Sequence, residues 1–465
     1  MPGALILDLG GVFYTFSDVP DAPIPSKQFK FLLDSSEWHD LESGKMSENE
    51  AFKAITERLS LAEGDIEGTL RLVSATLKLN DGLVAAIRQL KDDSDGRLRV
   101  FAASNISQDR YNVLRSNLQG WDIFDGIFIS ASLGVRKPER AFYDRLLEAA
   151  SLTAESTVFI DNRTENVIGA QCCGMHGVLF DSTNSVVRKL LALFDNPIQR
   201  GNAWLHAHAR NMWCMTNTGV EVREMFQQLF ILYLTNDWNL VDIRQLDSPT
   251  GRWNMWAYGP PQLTTESYPD DLDTTTLALL QLDVSVDLKH KAMDGMLQFL
   301  NPDGLFYCYF DSSRPRVDPF ISANALRLFY ANGRGFQLVA ALHFMKDMLR
   351  TGAFEHGTRD LCVKNPSAKE LGDLDSLIRQ RLQERMGCTQ DAPSAAFRLI
   401  ASNNLRMRNS KDEKILLDSQ HVDGRWTGYV YRYGSSGVLF GSDGLTTALA
   451  VAALQGAKQG VKKHL

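Results

Sequence analysis

No stretch of this 465-residue chain stays apolar for the roughly 20 residues that a membrane-spanning helix requires, which argues against an integral membrane protein. A basic surplus is missing too. The 49 Lys and Arg stand against 56 Asp and Glu, a formal charge of −7, and no basic patch marks a nucleic-acid-binding face. The six cysteines are scattered, apart from the adjacent pair Cys172-Cys173, and none has the spacing of a zinc site. The first residues run directly into an apolar strand, so no leader is expected. With that expectation go reduced thiols and a cytoplasmic location. No internal repeat is strict, although two Asp-Gly-x-aromatic elements hint at a degenerate one. Length alone suggests about three domains, but the motifs divide the chain into two.

The most informative motif is Asp270-Asp271-Leu272-Asp273-Thr274-Thr275-Thr276-Leu277, in which Asp271 to Thr275 spell DxDTT ahead of the apolar run Leu277-Ala278-Leu279-Leu280. Taken in isolation, such a tetrad reads as an acidic helix N-terminus stabilised by the helix dipole. Its surroundings argue for more. Arg252-Trp253-Asn254-Met255-Trp256-Ala257-Tyr258-Gly259-Pro260-Pro261 precedes it, and Asn301 to Phe306 and Gln420-His421-Val422-Asp423-Gly424-Arg425-Trp426 follow. Two carboxyl groups at the mouth of an apolar, aromatic cavity can keep one of the pair protonated, because burial and a neighbouring carboxylate both disfavour ionisation. Aromatic faces stabilise a carbocation without supplying a nucleophile to quench it.

DxDTT together with QxxDGxW (Gln420 to Trp426) resembles class II terpene cyclases, which start by protonating an alkene. The resemblance implies that Asp273 is the proton donor, that Asp271 tunes its acidity, and that Thr274 or Thr275 orients it. Trp253, Trp256, Phe306 and Trp426 are the aromatic candidates for the substrate cavity. In that family the QxxDGxW element ties adjacent helices of an α/α barrel together. For a diphosphate, Arg252, Arg314, Arg316, Arg359, Arg425 and Arg432 are candidates because a planar guanidinium suits phosphate, with Arg314-Pro315-Arg316 the most suggestive.

The other end of the chain carries a second set. Ala4 to Leu7 is an apolar strand running into Asp8-Leu9-Gly10-Gly11; Val100 to Ser104 is a second strand, followed by Asn105. Lys137 precedes Pro138 and a helix, and Thr157 to Ile160 leads into Asp161-Asn162. In order and spacing this resembles the haloacid-dehalogenase (HAD) superfamily over roughly residues 1–190. The resemblance implies a nucleophile at Asp8, phosphoryl-binding Ser104 and Asn105, a charge-neutralising Lys137, and Mg2+ held by Asp8, the Gly10 carbonyl and Asp161. Two departures stand out: Gly10 where most phosphatases of the superfamily carry a second aspartate, and Asn162 where a second acid is common. The domain is therefore either a slow or selective phosphatase or a non-catalytic support for its neighbour.

The expected architecture is a doubly wound parallel sheet with a helical cap over about 15–95, in a HAD-like domain 1–195, joined to a mainly helical α/α-barrel domain 196–465. Ser47 is expected to open a cap helix. Val220 to Leu234, Asp318 to Tyr330 and Gly444 to Leu454 have helical spacing, and Lys364 to Gln390 reads as a surface helix pair. A class I synthase would need DDxxD; Asp92-Asp93-Ser94-Asp95 and Asp270 to Asp273 both have the wrong spacing. The fusion resembles the HAD-type sesquiterpene cyclases that make drimane skeletons, which implies farnesyl diphosphate as substrate and a drimenyl or albicanyl diphosphate as product. Two rivals remain: a plain HAD hydrolase with a helical substrate-selecting domain, and an interaction protein whose sites are relics.

Overall fold

Ala4–Leu7 has no polar side chain to present to water, and all four residues are buried. In the computed structural model, which describes residues 3–94, 96–244, 247–256, 267–356, 372–433 and 437–462, this strand is the middle of a five-stranded parallel sheet. Its neighbours are Arg99–Ser104 on one side and Thr157–Asp161 on the other, with Gly126–Ile129 and His176–Leu179 at the edges. Helices cover both faces, as continuous apolar strands require. Asp8, Ser104 and Asp161 thereby meet at the carboxyl ends of three adjacent strands, where open α/β sheets bind ligands.

The cap helices Ser26–Leu33, Ser36–Glu42, Glu48–Leu59 and Asp65–Ala75 share a small core of their own around Trp38, Leu41, Phe52 and Ile55. Ser47 and Glu50 form the reciprocal capping box that starts the third of them. The next helix, Asp81–Asp93, instead packs Leu83, Val84, Ile87 and Leu90 with the sheet strands. The cap proper is thus narrower than 15–95, because that helix's apolar stripe faces the main core.

The chain forms two compact units, Met1–Asp195 and Asn196–Leu465. The second is mainly helical, with a four-stranded antiparallel sheet of Cys214–Thr216, Glu221–Val222, Tyr429–Tyr433 and Val438–Gly441 that the sequence reading did not include. Inner helices pack in series: Ala392–Asn404 on Asp443–Lys462, then Met225–Thr235, Leu272–Gln281 and Pro319–Ala331. Among the described residues no helix is long and apolar enough to cross a membrane. The stretch Lys364 to Gln390 lies partly outside the described residues; within them a helix spans Leu374–Arg385.

One turn recurs three times in this unit. In Ser248 to Trp253, Asn301 to Phe306 and His421 to Trp426, the glycine amide donates to the carbonyl three residues back, at 3.1, 3.0 and 3.0 Å. Gly251, Gly304 and Gly424 have φ of +66°, +74° and +96°, a region that a Cβ atom makes costly. The aromatic residue two places on is buried, and its N–H donates to a hydroxyl in an inner helix. Trp253 donates to Thr275 at 3.0 Å, Phe306 to Ser322 at 3.4 Å and Trp426 to Thr447 at 3.0 Å. Gln420 extends the last of these, donating from Nε2 to the carbonyls of Pro197 at 2.9 Å and Gly424 at 2.8 Å. The Trp426 indole donates to the Leu416 carbonyl at 2.7 Å. Trp426 is wholly buried, so Trp426→Ala is expected to cost about 3–5 kcal/mol of stability, read as a lower urea midpoint for this unit.

Candidate active sites

Asp271 and Asp273 differ in what they touch. Asp271 caps the helix Leu272–Gln281. Its Oδ1 accepts the Thr274 N–H at 2.6 Å, and its Oδ2 accepts the Met255 N–H and the Thr274 hydroxyl, each at 3.0 Å. Among the described residues Asp273 accepts a single bond, from Asn324 Nδ2 to Oδ1 at 2.5 Å. Burial raises both carboxyls, Asp271 to about 7 and Asp273 to about 6. The Thr274 and Met255 donors pull Asp271 back and the charge of Asp273 pushes it up. For Asp273 the Asn324 bond lowers and the Asp318 charge raises. Burial outweighs the hydrogen bonds at both carboxyls, so each is held above the ordinary carboxylate range. Three donors engage Asp271, whereas among the described residues Asp273 Oδ2 accepts no hydrogen bond.

Both line a cavity of about 180 Å³. Its walls come from Phe226 and Phe230, one helical turn apart on Met225–Thr235, and from Phe320, Ile321 and Asn324 on Pro319–Ala331. Tyr268, Tyr309, Tyr431 and Met255 complete the apolar surface. Thr275, the neighbour of Thr274, instead ties Trp253 to the helix, donating to its carbonyl at 3.0 Å.

The expected aromatic residues stand elsewhere. Trp253, Trp256, Phe306 and Trp426 are buried but are not among the residues lining this cavity. Trp253, Phe306 and Trp426 brace the recurrent turns, and Trp256 packs edge-on against Tyr268 with ring centres 6.1 Å apart. An indole that must bury its ring and N–H together is well used at such a junction. Asn324, Phe226, Phe230 and Tyr431 went unnoticed in the sequence.

Of the arginines, Arg316 and Arg432 line the cavity. Arg316 reaches Asp318 only at 3.8 Å. Arg314 turns to Asp311 at 3.5 Å and the Ser267 carbonyl at 3.3 Å. Arg252 lies over the Phe310 ring at 4.4 Å, Arg425 pairs with Asp423 at 2.6 Å, and Arg359 falls outside the described residues, as do Ala257 to Pro261.

In the first unit Lys137, almost wholly buried, joins the two acids. Its Nζ donates to Asp8 Oδ1 at 2.7 Å, Asp161 Oδ2 at 2.6 Å and the Ala103 carbonyl at 2.9 Å. Burial opposes the lysine's charge, but the two carboxylates outweigh it and hold its pKa raised. Burial lifts Asp8 to about 7, with Lys137 pulling it back and Asp161 pushing it further. Asn105 holds the lysine's backbone from both sides, accepting its N–H at 2.8 Å and donating to its carbonyl at 2.9 Å. These two bonds fix the backbone that carries Lys137. Ser104 is buried beside it at the strand end. At Gly10 a Cβ would meet nothing within 4 Å, whereas at Gly11 it would strike Asn162 Nδ2 at 2.2 Å. Space for the missing aspartate is present; the side chain is not.

Fold and sites together define an enzyme in which a HAD-like unit is fused to a terpene-cyclase unit. The chain is 34% identical over 470 residues to drimenol cyclase drtB of Aspergillus calidoustus, covering 98% of this chain and 88% of that protein. It belongs to this family of HAD-fused sesquiterpene cyclases. Residues 198–332 match the sesquiterpene cyclase astC-like C-terminal domain. The first unit is similar to sesquiterpene phosphatase astK of Aspergillus oryzae, 32% identical over 175 residues, covering 38% of this chain and 88% of that protein. A HAD family enzyme of Bacteroides thetaiotaomicron, solved with magnesium and inorganic phosphate, aligns with 38% of this chain and 94% of its own at 20% identity and a TM-score of 0.32.

Proposed function

We propose that the second unit cyclises farnesyl diphosphate to a bicyclic drimane-type diphosphate, drimenyl or albicanyl diphosphate. The observation that carries this is the unequal pair of buried carboxyls on an aromatic wall: one bound by three donors, the other by one. Asp273 delivers its Oδ2 proton to the distal alkene, while the neighbouring Asp271 carboxyl tunes its acidity. Asn324 fixes the orientation of the donor. The two rings close over Phe226, Phe230 and Phe320, whose faces stabilise the cation. Arg316 and Arg432 are the guanidinium groups available to the diphosphate, which stays attached throughout.

In the first unit Asp8 is the nucleophile toward phosphorus, Lys137 neutralises the charge of the phosphoryl group, and Ser104 hydrogen-bonds its oxygens. Among the described residues no cluster of three or more metal-binding side chains occurs. The two carboxylates of Asp8 and Asp161 and the Gly10 carbonyl are nevertheless an all-oxygen set. They suit Mg2+, which keeps several waters of its own. Bound there, the ion would supply charge neutralisation at the phosphoryl oxygens. Without an aspartate at position 10, this unit favours a leaving group that needs no proton, such as the phosphate monoester expelled from a diphosphate.

Incubation with farnesyl diphosphate and Mg2+, followed by gas chromatography with and without added phosphatase, tests both halves. A drimane alcohol after phosphatase treatment is expected; farnesol alone would leave a plain phosphatase. Unchanged phosphate release by Asp8→Asn would end the phosphatase reading. The acid must be neutral to work, so cyclisation is expected to decline as pH rises through about 6–7, the range to which burial raises the two carboxyls. A pH profile of kcat/KM checks this, and a rate that climbs through that window would remove Asp273 as the acid.

A further inference from the structure

A farnesyl-type phosphoester brings a hydrocarbon chain that the buried charges of Asp8, Lys137 and Asp161 are unsuited to hold. That chain has to lie outside the phosphoryl site of the first unit. Most large apolar side chains of this unit are packed in its cores. Phe16 and Phe31 are not. They are 54% and 61% exposed, and every other described aromatic residue of the unit is at least partly buried.

Phe16 follows the short strand Tyr14–Thr15. Thr15 pairs with Lys78, and the Ser17 N–H donates to Thr76 Oγ1 at 3.2 Å, so the backbone is tied on both sides of the ring. A Cβ placed on Gly11 would lie 3.5 Å from Phe16 Cε1 and would strike the Asn162 amide. The ring edge therefore reaches the turn after Asp8, on the side of the residue that follows Asp161. Phe31 approaches from the cap. In the helix Ser26–Leu33, Phe29, Leu32 and Leu33 pack into the cap core, whereas Phe31 stands away from it. Three residues on, and so on the same side of the helix, Asp34 pairs with Arg163 Nη2 at 3.3 Å. The Arg163 N–H in turn donates to Asp161 Oδ1 at 2.8 Å. Both rings thus lead to the loop after Asp161, Phe16 to Asn162 and Phe31 to Arg163.

Resting on the phosphatase reading of this unit, we propose that Phe16 and Phe31 flank the entrance to the Asp8 site and hold the hydrocarbon chain of a prenyl or terpenyl phosphoester. A lone exposed apolar residue is ordinary on a protein surface, but two that converge on one catalytic loop form a ligand-binding surface. The pair selects by the tail of the substrate. Position 10 governs the leaving group, and the rings govern what is attached to it. Contact along the chain is the same before and during attack on phosphorus. It therefore lowers KM and leaves kcat alone.

The test measures phosphate release by the full chain, with Mg2+, from decyl diphosphate and methyl diphosphate. Both expel a phosphate monoester, and neither has an alkene for the second unit to protonate. The wild type is expected to favour the decyl ester by at least about tenfold in kcat/KM. Phe16→Ala and Phe31→Ala should each raise KM for the decyl ester by about three- to tenfold. With kcat nearly constant, the preference over the methyl ester shrinks by the same factor. Phe16→Leu should recover most of the loss. Thermal melting is followed throughout; should one alanine variant fail to fold, the other, on a separate element, decides. Folded variants with the wild-type KM, or a wild type that treats the two esters alike, would overturn the inference and leave the phosphatase standing. Release from neither ester, or release that survives Asp8→Asn, would end the phosphatase reading and the selection with it.

Discussion

Asp273→Asn is expected to lower bicycle formation by about 10²–10⁴-fold, the span of a lost general acid, while phosphate release by the first unit stays at the wild-type level. The substitution keeps the side chain's size and can keep its contact with Asn324 through an amide flip, so the melting temperature should hardly move. An alkene is so weak a base that an amide has no useful proton to offer it. Asp271→Asn is a different experiment. It replaces a carboxylate that accepts three hydrogen bonds with a group that has one acceptor oxygen, so it should cost both activity and helix stability, the latter by about 0.5–2 kcal/mol for a damaged cap. Equal loss of cyclisation and of melting temperature in both variants would mean that the motif serves only as a helix cap.

The two acids were legible in the sequence because their residue types and spacing carry the chemistry themselves. Asp8 and Asp161 stand where an apolar strand run stops, whereas Lys137, in the loop before a helix, was marked by the resemblance to the HAD superfamily. The cavity wall was not legible. Asn324 lies 51 residues from Asp273, and a lone asparagine within a helix has no distinguishing neighbour. Phe226 and Phe230 looked like ordinary core residues of an apolar helix, whereas Trp253 and Trp426, which drew attention by rarity, brace the recurrent turns. The third recurrent turn, Ser248 to Trp253, was hidden by Thr250 standing where the other two have aspartate. Its glycine and aromatic residue were visible, but only the hydroxyls of Thr275, Ser322 and Thr447 make the three equivalent.

Gly10→Asp is expected to create, or greatly enlarge, activity toward alkyl monophosphates. An added Cβ meets no atom within 4 Å there, and the glycine's φ lies outside the left-handed region, so aspartate fits without strain. The size of the gain should follow the leaving group. Expelling an alkoxide, whose conjugate acid is about as weak as water with a pKa of about 15.7, profits most from a nearby acid, by about 10²–10⁴-fold. Expelling a phosphate monoester, whose pKa is about 6, should gain little. Farnesyl monophosphate, farnesyl diphosphate and an aryl phosphate with an acidic phenol, assayed side by side for inorganic phosphate, give the comparison directly. A large gain confined to the first would mean that the nucleophile, lysine and phosphoryl pocket already work and that evolution removed only the proton donor. The native enzyme would then stop at the monophosphate, and a separate phosphomonoesterase would have to release the alcohol. No gain on any of the three, from a variant that melts like the wild type, would instead mark the first unit as a support for its neighbour, with Lys137 serving to neutralise two buried carboxylates.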